Sequence, residues 1–87
     1  MKIKYHKNFE KQFKKLNQSK KDKVLLIMDI FINNPNNKQL LNHTLKGALL
    51  GKRSMSVSFD LRIIFEEFDD YTLVIFLDLG TYNRVYK

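Results

Sequence analysis

The fold is decided by Tyr71–Leu77, whose sequence YTLVIFL is a run of apolar and β-prone residues. Its apolar segment Val74–Leu77 predicts a central strand that is covered on both faces. Leu61–Phe65, LRIIF, precedes this run, and the polar segment Glu66–Asp70, EEFDD, is suited to the turn of a hairpin. The C-terminal half of the chain is therefore predicted to form a sheet.

Three further segments have the character of strands. In Ser54–Phe59, SMSVSF, apolar side chains alternate with serines, which predicts a half-buried strand. Met1–Tyr5 is short and β-prone, and Thr81–Tyr86 alternates again after Gly80. We therefore expect a first strand at the N-terminus and a short fifth strand at the C-terminus.

Two helices are predicted before Pro35, the only proline of the chain. Phe9, Phe13 and Leu16 recur at i, i+4 and i+7 with lysines between them, which is typical of a short amphipathic helix. Ser19 is predicted to cap a second helix, which ends at the Asn-Asn-Pro sequence because the residue before a proline avoids helical angles. The predicted buried stripe of this helix is Val24, Ile27, Met28 and Phe31, widened by Leu25 and Ile32.

These elements predict a single α+β domain over residues 1–87, with the order β-α-α-β-β-β and a further short strand. Two N-terminal helices are expected to pack on one face of a largely antiparallel sheet. The other face would then be free to bind a ligand.

The composition excludes several classes of protein. The 87 residues include no cysteine, so neither a disulfide nor a thiolate nucleophile is encoded. With only His6 and His43 as histidines, we expect no metal site, and no cofactor motif is present. There is no secretion signal and no apolar segment of about 18 residues, which leads us to expect a cytoplasmic protein without a membrane partner.

The net charge of +7 lies in the first quarter of the chain. Residues 1–23 contain nine lysines and two acidic residues, whereas residues 24–87 contain seven basic and seven acidic residues. A patch of this kind suits a polyanion such as RNA, or an acidic protein. A solvated helix face explains the same charges, so charge alone leaves both interpretations open.

The predicted strands gather polar side chains on one face of the sheet. Serines on one strand and two tyrosines with an arginine on another would suit RNA, because aromatic rings stack on bases and arginine binds phosphate. Tyrosine is also simply a good strand former, and this alternative stays open. The serines are Ser54, Ser56 and Ser58, and the C-terminal residues are Tyr82, Arg84 and Tyr86.

Residues able to transfer protons lie near the same strands. His43, Lys46 and Arg53 lead into the sheet, and Asp60 and Arg62 begin the next strand. An imidazole and a carboxylate can move protons, and cations can stabilise charge on a phosphate. With the RNA 2′-hydroxyl as nucleophile, these groups suffice for a ribonuclease that needs no metal. A surface or capping histidine and a local turn with an ion pair between Asp60 and Arg62 are the alternative explanation of the same residues.

Five segments together resemble a known family: Lys7–Leu16, Asn42–Gly47, Arg53-Ser54, Asp60–Phe65 and Gly80–Tyr86. In this order they look like the RelE/ParE superfamily of bacterial toxins, nearest to its YafQ branch. The resemblance implies the toxin of a type II toxin–antitoxin pair. Such a toxin cleaves mRNA in the ribosomal A site, leaves a 2′,3′-cyclic phosphate and is blocked by a cognate antitoxin, here expected to be acidic.

The resemblance also implies roles for individual residues. His43, Asp60, Arg62 and Tyr86 match the family pattern, whereas Ser56 and Tyr82 stand where the YafQ branch has histidines. The expected catalytic residues are His43 and Asp60 for proton transfer, Arg62 for phosphate, and Tyr82 and Tyr86 as a stacking and donor pair. The expected substrate-binding residues are Lys46, Arg53, Ser56 and Arg84.

Three other functions are compatible with these residues. The two missing histidines allow an attenuated nuclease, and the superfamily also contains ParE-like poisons of DNA gyrase. A non-catalytic module that binds RNA or the ribosome would need only the lysines and tyrosines. Growth arrest with intact mRNA would favour the gyrase poison, and salt-sensitive RNA binding without toxicity would favour the binding module.

Overall fold

The computed structural model of the protein describes residues 1–86, which form five strands, three α-helices and two 3₁₀ turns. The strands are β1 (Lys2–Tyr5), β2 (His43–Thr44), β3 (Arg53–Ser56), β4 (Leu61–Phe68) and β5 (Leu73–Thr81). The helices are α1 (Lys7–Lys14), α2 (Gln18–Asn33) and α3 (Tyr82–Val85), and the 3₁₀ turns are Lys38–Leu40 and Gly47–Leu49. No helix within residues 1–86 is both long enough and apolar enough to cross a membrane.

The strands form one sheet in the order β1-β5-β4-β3-β2. Only β1 is parallel to its neighbour, β5, and the other pairs are antiparallel. The predicted α+β class with a largely antiparallel sheet is confirmed, and β5 lies between two strands as the run Val74–Leu77 indicated.

Helices α1 and α2 pack on one face of the sheet, as predicted. Phe31 of α2 lies with its ring centroid 5.1 Å from that of Phe65 and 5.8 Å from that of Phe76. Phe9 of α1 stacks on Phe76 at 5.4 Å. Four phenylalanine rings from the two helices and the two longest strands therefore meet in the core, and aliphatic side chains make up the rest of it.

The detail of α2 differs from the prediction in two respects. Asn17, not Ser19, caps the helix and accepts a hydrogen bond from the backbone N–H of Lys20 at 2.9 Å. Leu25 and Ile32 were expected in the buried stripe but are 54% and 49% exposed. The buried stripe is narrower because a helix of this length meets the sheet only along the i, i+3, i+4, i+7 positions.

The hairpin between β4 and β5 is shifted relative to the prediction. Strand β4 continues to Phe68, and the turn comprises Asp69–Thr72, in which Asp69, Asp70 and Tyr71 all have positive φ. The strand expected to begin at Tyr71 therefore begins at Leu73. Short acidic side chains tolerate this backbone region better than most residues do.

A β-bulge at Leu77 changes which side chains of β5 face the helices. Ile64 pairs with Asp78 and the next residue, Phe65, pairs with Phe76, which leaves Leu77 as the extra residue. Without the bulge, strict alternation would turn Asp78 toward the aromatic core. The bulge instead places Asp78 on the opposite face and returns Leu79 to the core.

The prediction of a fifth strand at Thr81–Tyr86 is wrong. These residues form α3, and Thr81 caps the helix by accepting a hydrogen bond from the N–H of Arg84. The helix packs against β4 and β5 and buries Val85, while Ile64 is buried on the sheet face away from the main core. The sheet face opposite α1 and α2 was expected to be free, but α3 covers part of it. This cover is consistent with the burial of the apolar side chain of Ile64.

Candidate active site

A cavity of 380 Å³ opens on the sheet face opposite α1 and α2. The strand register explains which side chains meet there, since directly paired residues point to the same face. His43 pairs with Ser54, and Ser56 pairs with Arg62. The lining residues are Leu41, His43, Leu45, Lys46, Leu49, Ser56, Arg62, Tyr82 and Tyr86.

The lining of the cavity is cationic. Lys46 and Arg62 carry positive charge, and no acidic side chain lines the cavity in the described part of the chain. Leu41, Leu45 and Leu49 form an apolar wall of the cavity, and none of the three was among the predicted site residues. They lie in a segment of irregular structure with no helical or strand periodicity, so no pattern in the sequence indicated them.

The proton position on His43 follows from its hydrogen bond. Its Nδ1 lies 2.8 Å from the carbonyl oxygen of Leu41. A carbonyl oxygen can only accept, so Nδ1 carries the hydrogen and the neutral ring keeps its lone pair on Nε2. The free lone pair is the group that a general base requires.

Leu41 presents that carbonyl from an unusual backbone conformation. Its φ is 52° and its ψ is 39°, in the left-handed region, which costs a non-glycine residue about 1–2 kcal/mol. The Leu41 side chain is 64% exposed, so its burial does not offset this conformational free energy. Strain of this kind is often found at functional sites, where it holds a group in place.

Arg62 is half-buried and is held by one end of its guanidinium. Its Nη1 donates to Ser56 Oγ at 3.0 Å, to the Ser58 carbonyl oxygen at 2.5 Å and to the Leu61 carbonyl oxygen at 3.3 Å. Within residues 1–86, neither Nε nor Nη2 of Arg62 has a hydrogen-bond partner, and the ion pair with Asp60 considered above is not formed. A guanidinium fixed in this way has donors left for a phosphate.

Tyr82 and Tyr86 meet because α3 is a helix. They are one turn apart, with ring centroids 4.6 Å apart and planes at 64°. The buried Ser54 forms a hydrogen bond through its Oγ with the Tyr86 hydroxyl, whereas Tyr82 is 55% exposed. The shared face was predicted for both tyrosines, but from a strand that does not exist.

Arg84 does not join the tyrosines, contrary to the alternation argument. Its guanidinium forms an ion pair with Asp78 and donates to the Leu79 carbonyl oxygen at 2.6 Å. It lies over Gly80, where any larger side chain would collide with it. Arg84 therefore fastens α3 to β5.

Asp60, Arg53 and Ser58 also lie outside the lining of the cavity. The Asp60 side chain is exposed, although its carbonyl oxygen accepts from the N–H of Tyr82 at 3.0 Å at the rim. Arg53 points to the helix side of the sheet and donates to Asn42 Oδ1 at 2.9 Å. Strand β3 ends at Ser56, so Ser58 contributes a backbone carbonyl rather than a hydroxyl face.

The described residues contain no group of three or more His, Asp or Glu side chains that could hold a metal ion. The polar groups in the lining of the cavity are one imidazole, one guanidinium, one ammonium, two phenols and a serine hydroxyl. These groups can bind a phosphate and transfer protons.

Comparison with known proteins identifies the family. A family described as bacterial toxin of type II toxin-antitoxin system, YafQ, matches residues 1–87. The chain belongs to the YafQ toxin family. It is similar to YafQ from E. coli strain BL21(DE3), with 28% identity over 98% of this chain and 97% of that chain and a TM-score of 0.79. Among curated proteins, none matches the sequence.

Two structures of complexes share the fold of this YafQ-family toxin. The E. coli DinJ-YafQ toxin-antitoxin complex matches at 24% identity, over 98% of this chain and 96% of that chain, with a TM-score of 0.74. The archaeal RelE-RelB complex from Pyrococcus horikoshii OT3 matches at 21% identity, over 95% and 96%, with a TM-score of 0.75. These two matches show a shared fold, and the family match over residues 1–87 confirms the resemblance to the YafQ branch.

Proposed function

We propose that this YafQ-family toxin is an endoribonuclease that cleaves mRNA on the ribosome in the cytoplasm and uses the RNA 2′-hydroxyl as nucleophile. The observation that carries the proposal is the His43 ring, whose Nδ1 bonds to the Leu41 carbonyl oxygen, so that Nε2 holds the lone pair of the neutral ring, in a cavity that no acidic side chain of residues 1–86 lines. Arg62 and Lys46 in the same cavity supply the charge that attracts a phosphate.

The proposed reaction balances with the groups of the cavity. His43 Nε2 takes the proton of the 2′-hydroxyl, and the 2′-oxygen attacks the adjacent phosphorus. Arg62 and Lys46 stabilise the negative charge that develops on the phosphoryl oxygens. The bond between phosphorus and the 5′-oxygen breaks, and the 5′-oxygen receives a proton. The products are a 2′,3′-cyclic phosphate and a 5′-hydroxyl end.

Tyr82 is the proposed donor of that last proton. Its hydroxyl is an O–H donor, it lines the cavity, and its side chain is more than half exposed. Tyr86, held by Ser54, completes an aromatic corner on which a base can stack. Asp60 was the second proton-handling candidate, but the geometry supports it less because its carboxylate is outside the lining.

A comparison of two variants separates these donors. Tyr82→Phe removes only the hydroxyl, and we expect it to slow cleavage about 100-fold, at the lower end of the range for acid–base groups. Asp60→Asn keeps the backbone carbonyl that accepts from the Tyr82 N–H, and we expect it to cleave within about threefold of wild type, since the Asp60 carboxylate lies outside the cavity lining. Initial cleavage rates of a defined mRNA on purified ribosomes measure both. A larger loss for Asp60→Asn than for Tyr82→Phe would make Asp60 the donor.

Mapping of RNA ends after brief induction tests the function itself. We expect new mRNA fragments with 2′,3′-cyclic phosphate and 5′-hydroxyl ends in cells expressing the wild-type chain. Tyr82→His is expected to cleave at least as fast as wild type, because imidazole transfers protons readily at neutral pH. If growth stops while the mRNA stays intact and the DNA is damaged, the protein is a gyrase poison and not a nuclease. RNA binding without cleavage or toxicity would leave only a binding module.

An acidic antitoxin is the proposed protein partner. A groove of 250 Å³ between α1 and α2 has apolar side chains beside Lys14 and Glu10. A segment that is acidic and folds on contact would match both the apolar surface and the charge of α1. The groove is lined by Tyr5, Phe9, Glu10, Phe13, Lys14, Leu25 and Met28.

A further inference from the structure

The turn between β3 and β4 presents the most exposed aromatic side chain among the large apolar residues of the described chain. Phe59 is 97% exposed. A single exposed apolar residue is common and carries no conclusion by itself.

The backbone of this turn is fixed by hydrogen bonds. The N–H groups of Val57 and Ser58 donate to the Leu61 carbonyl oxygen at 2.8 and 3.3 Å. Arg62 Nη1 donates to the Ser58 carbonyl oxygen, and the Tyr82 N–H donates to the Asp60 carbonyl oxygen. Phe59 therefore projects from a turn that is tied directly to two residues of the cavity lining.

A second depression lies on the other side of the turn. It has a volume of 400 Å³ and is formed by Ser58 and Leu61 together with the first turns of α2. Two lysines, Lys20 and Lys23, and one acid, Asp22, line it. The turn that carries Phe59 thus borders the cavity through the bond of its Ser58 carbonyl oxygen to Arg62, and it borders the depression with the two lysines through Ser58 and Leu61.

We propose that this turn and depression form a second RNA subsite, in which Phe59 stacks on a base beside the cleaved linkage and Lys20 and Lys23 bind the following phosphates. The inference rests on the proposed nuclease function. An exposed aromatic ring followed by lysines is the arrangement that proteins use to hold single-stranded nucleic acid, because the ring takes the base and the cations take the backbone. The subsite would set which nucleotides next to the cut are bound, without touching the reacting atoms.

Substitutions of Phe59 test the stacking directly. Phe59→Leu keeps an apolar side chain without a ring, and we expect it to lower kcat/KM for a defined mRNA on purified ribosomes by about 5- to 150-fold. Phe59→Tyr keeps the ring and is expected to cleave within about twofold of wild type, since a tyrosine ring stacks as phenylalanine does. Phe68→Leu, at the other end of β4, is the matched control and should cleave as wild type does. Thermal unfolding confirms that each variant folds.

Abasic sites in the mRNA identify the base that Phe59 contacts. One abasic position next to the cut should reduce cleavage by wild type as much as Phe59→Leu does, and Phe59→Leu should show no further loss on that RNA. Lys20→Gln with Lys23→Gln should reduce the salt dependence of RNA binding. Full activity of Phe59→Leu, or equal losses on intact and abasic RNA, would overturn the subsite. Absence of cleavage by the wild-type chain would instead overturn the nuclease function.

Discussion

His43→Asn is expected to reduce mRNA cleavage by about 10²- to 10⁴-fold, the usual contribution of a general base. The asparagine amide can still donate a hydrogen bond to the Leu41 carbonyl oxygen, so the loop keeps its anchor, but no lone pair replaces Nε2 of the imidazole. Cleavage of a defined mRNA on purified ribosomes, followed over time with saturating toxin, measures the loss in the chemical step.

The other histidine provides the matched control for this variant. His6 caps α1 by accepting from the N–H of Asn8 at 3.0 Å, and it lies outside the cavity lining. Asparagine is itself a good helix cap, so His6→Asn should fold and cleave as the wild type does. If His43→Asn retains more than about a tenth of the wild-type rate, His43 is not the base.

Arg62→Ala is expected to reduce cleavage by about 10²- to 10³-fold, the usual loss when a group that stabilises transition-state charge is removed. The same substitution frees the Ser58 carbonyl oxygen and Ser56 Oγ from Nη1. Arg62→Lys keeps the positive charge. Because an ammonium lacks the planar fork of a guanidinium, it can either bond to Ser56 and Ser58 or bind the phosphate, but not both. We therefore expect Arg62→Lys to lie between Arg62→Ala and wild type.

Arg53 serves as the control arginine for this experiment. It is partly buried like Arg62, but it lies on the helix side of the sheet and bonds to Asn42. Arg53→Ala should lower the melting temperature while cleavage per folded molecule stays near that of wild type. If Arg53→Ala loses as much cleavage as Arg62→Ala does, Arg53 binds the substrate, as the sequence had predicted. That result would contradict the conclusion that Arg53 takes no part in the site because it lies on the helix side of the sheet.

Local pattern was enough for much of the fold. The spacing of Phe9 and Phe13 and the stripe of α2 predicted two helices on one face, since burial of one side of a helix leaves a period of 3.6. Residues 81–86 were misread because alternation of residue types over six residues fits a strand and a helical turn equally well. The helical form of α3 is stabilised by the Thr81 cap and by the burial of apolar side chains such as Val85 and Ile64.

The sequence predicted several residues of the candidate site, but not the contacts that bring them together. His43, Ser56 and Arg62 reach the cavity as proposed, because strand pairing brings them to one face. Asp60 and Arg53 do not reach the lining, since the end of a turn and the opposite face of a strand direct their side chains elsewhere. No sequence pattern showed that Leu41 would supply the acceptor that sets the tautomer of His43.

The amino-acid sequence by itself determined which chemical groups this toxin has and which elements carry them, because helix and strand periods are properties of neighbouring residues. Only the tertiary structure decided which of those groups share a cavity. That choice depends on the register of strands distant in sequence, on the bulge at Leu77 and on the packing of α3 over Ile64, and these are long-range contacts that no local pattern encodes.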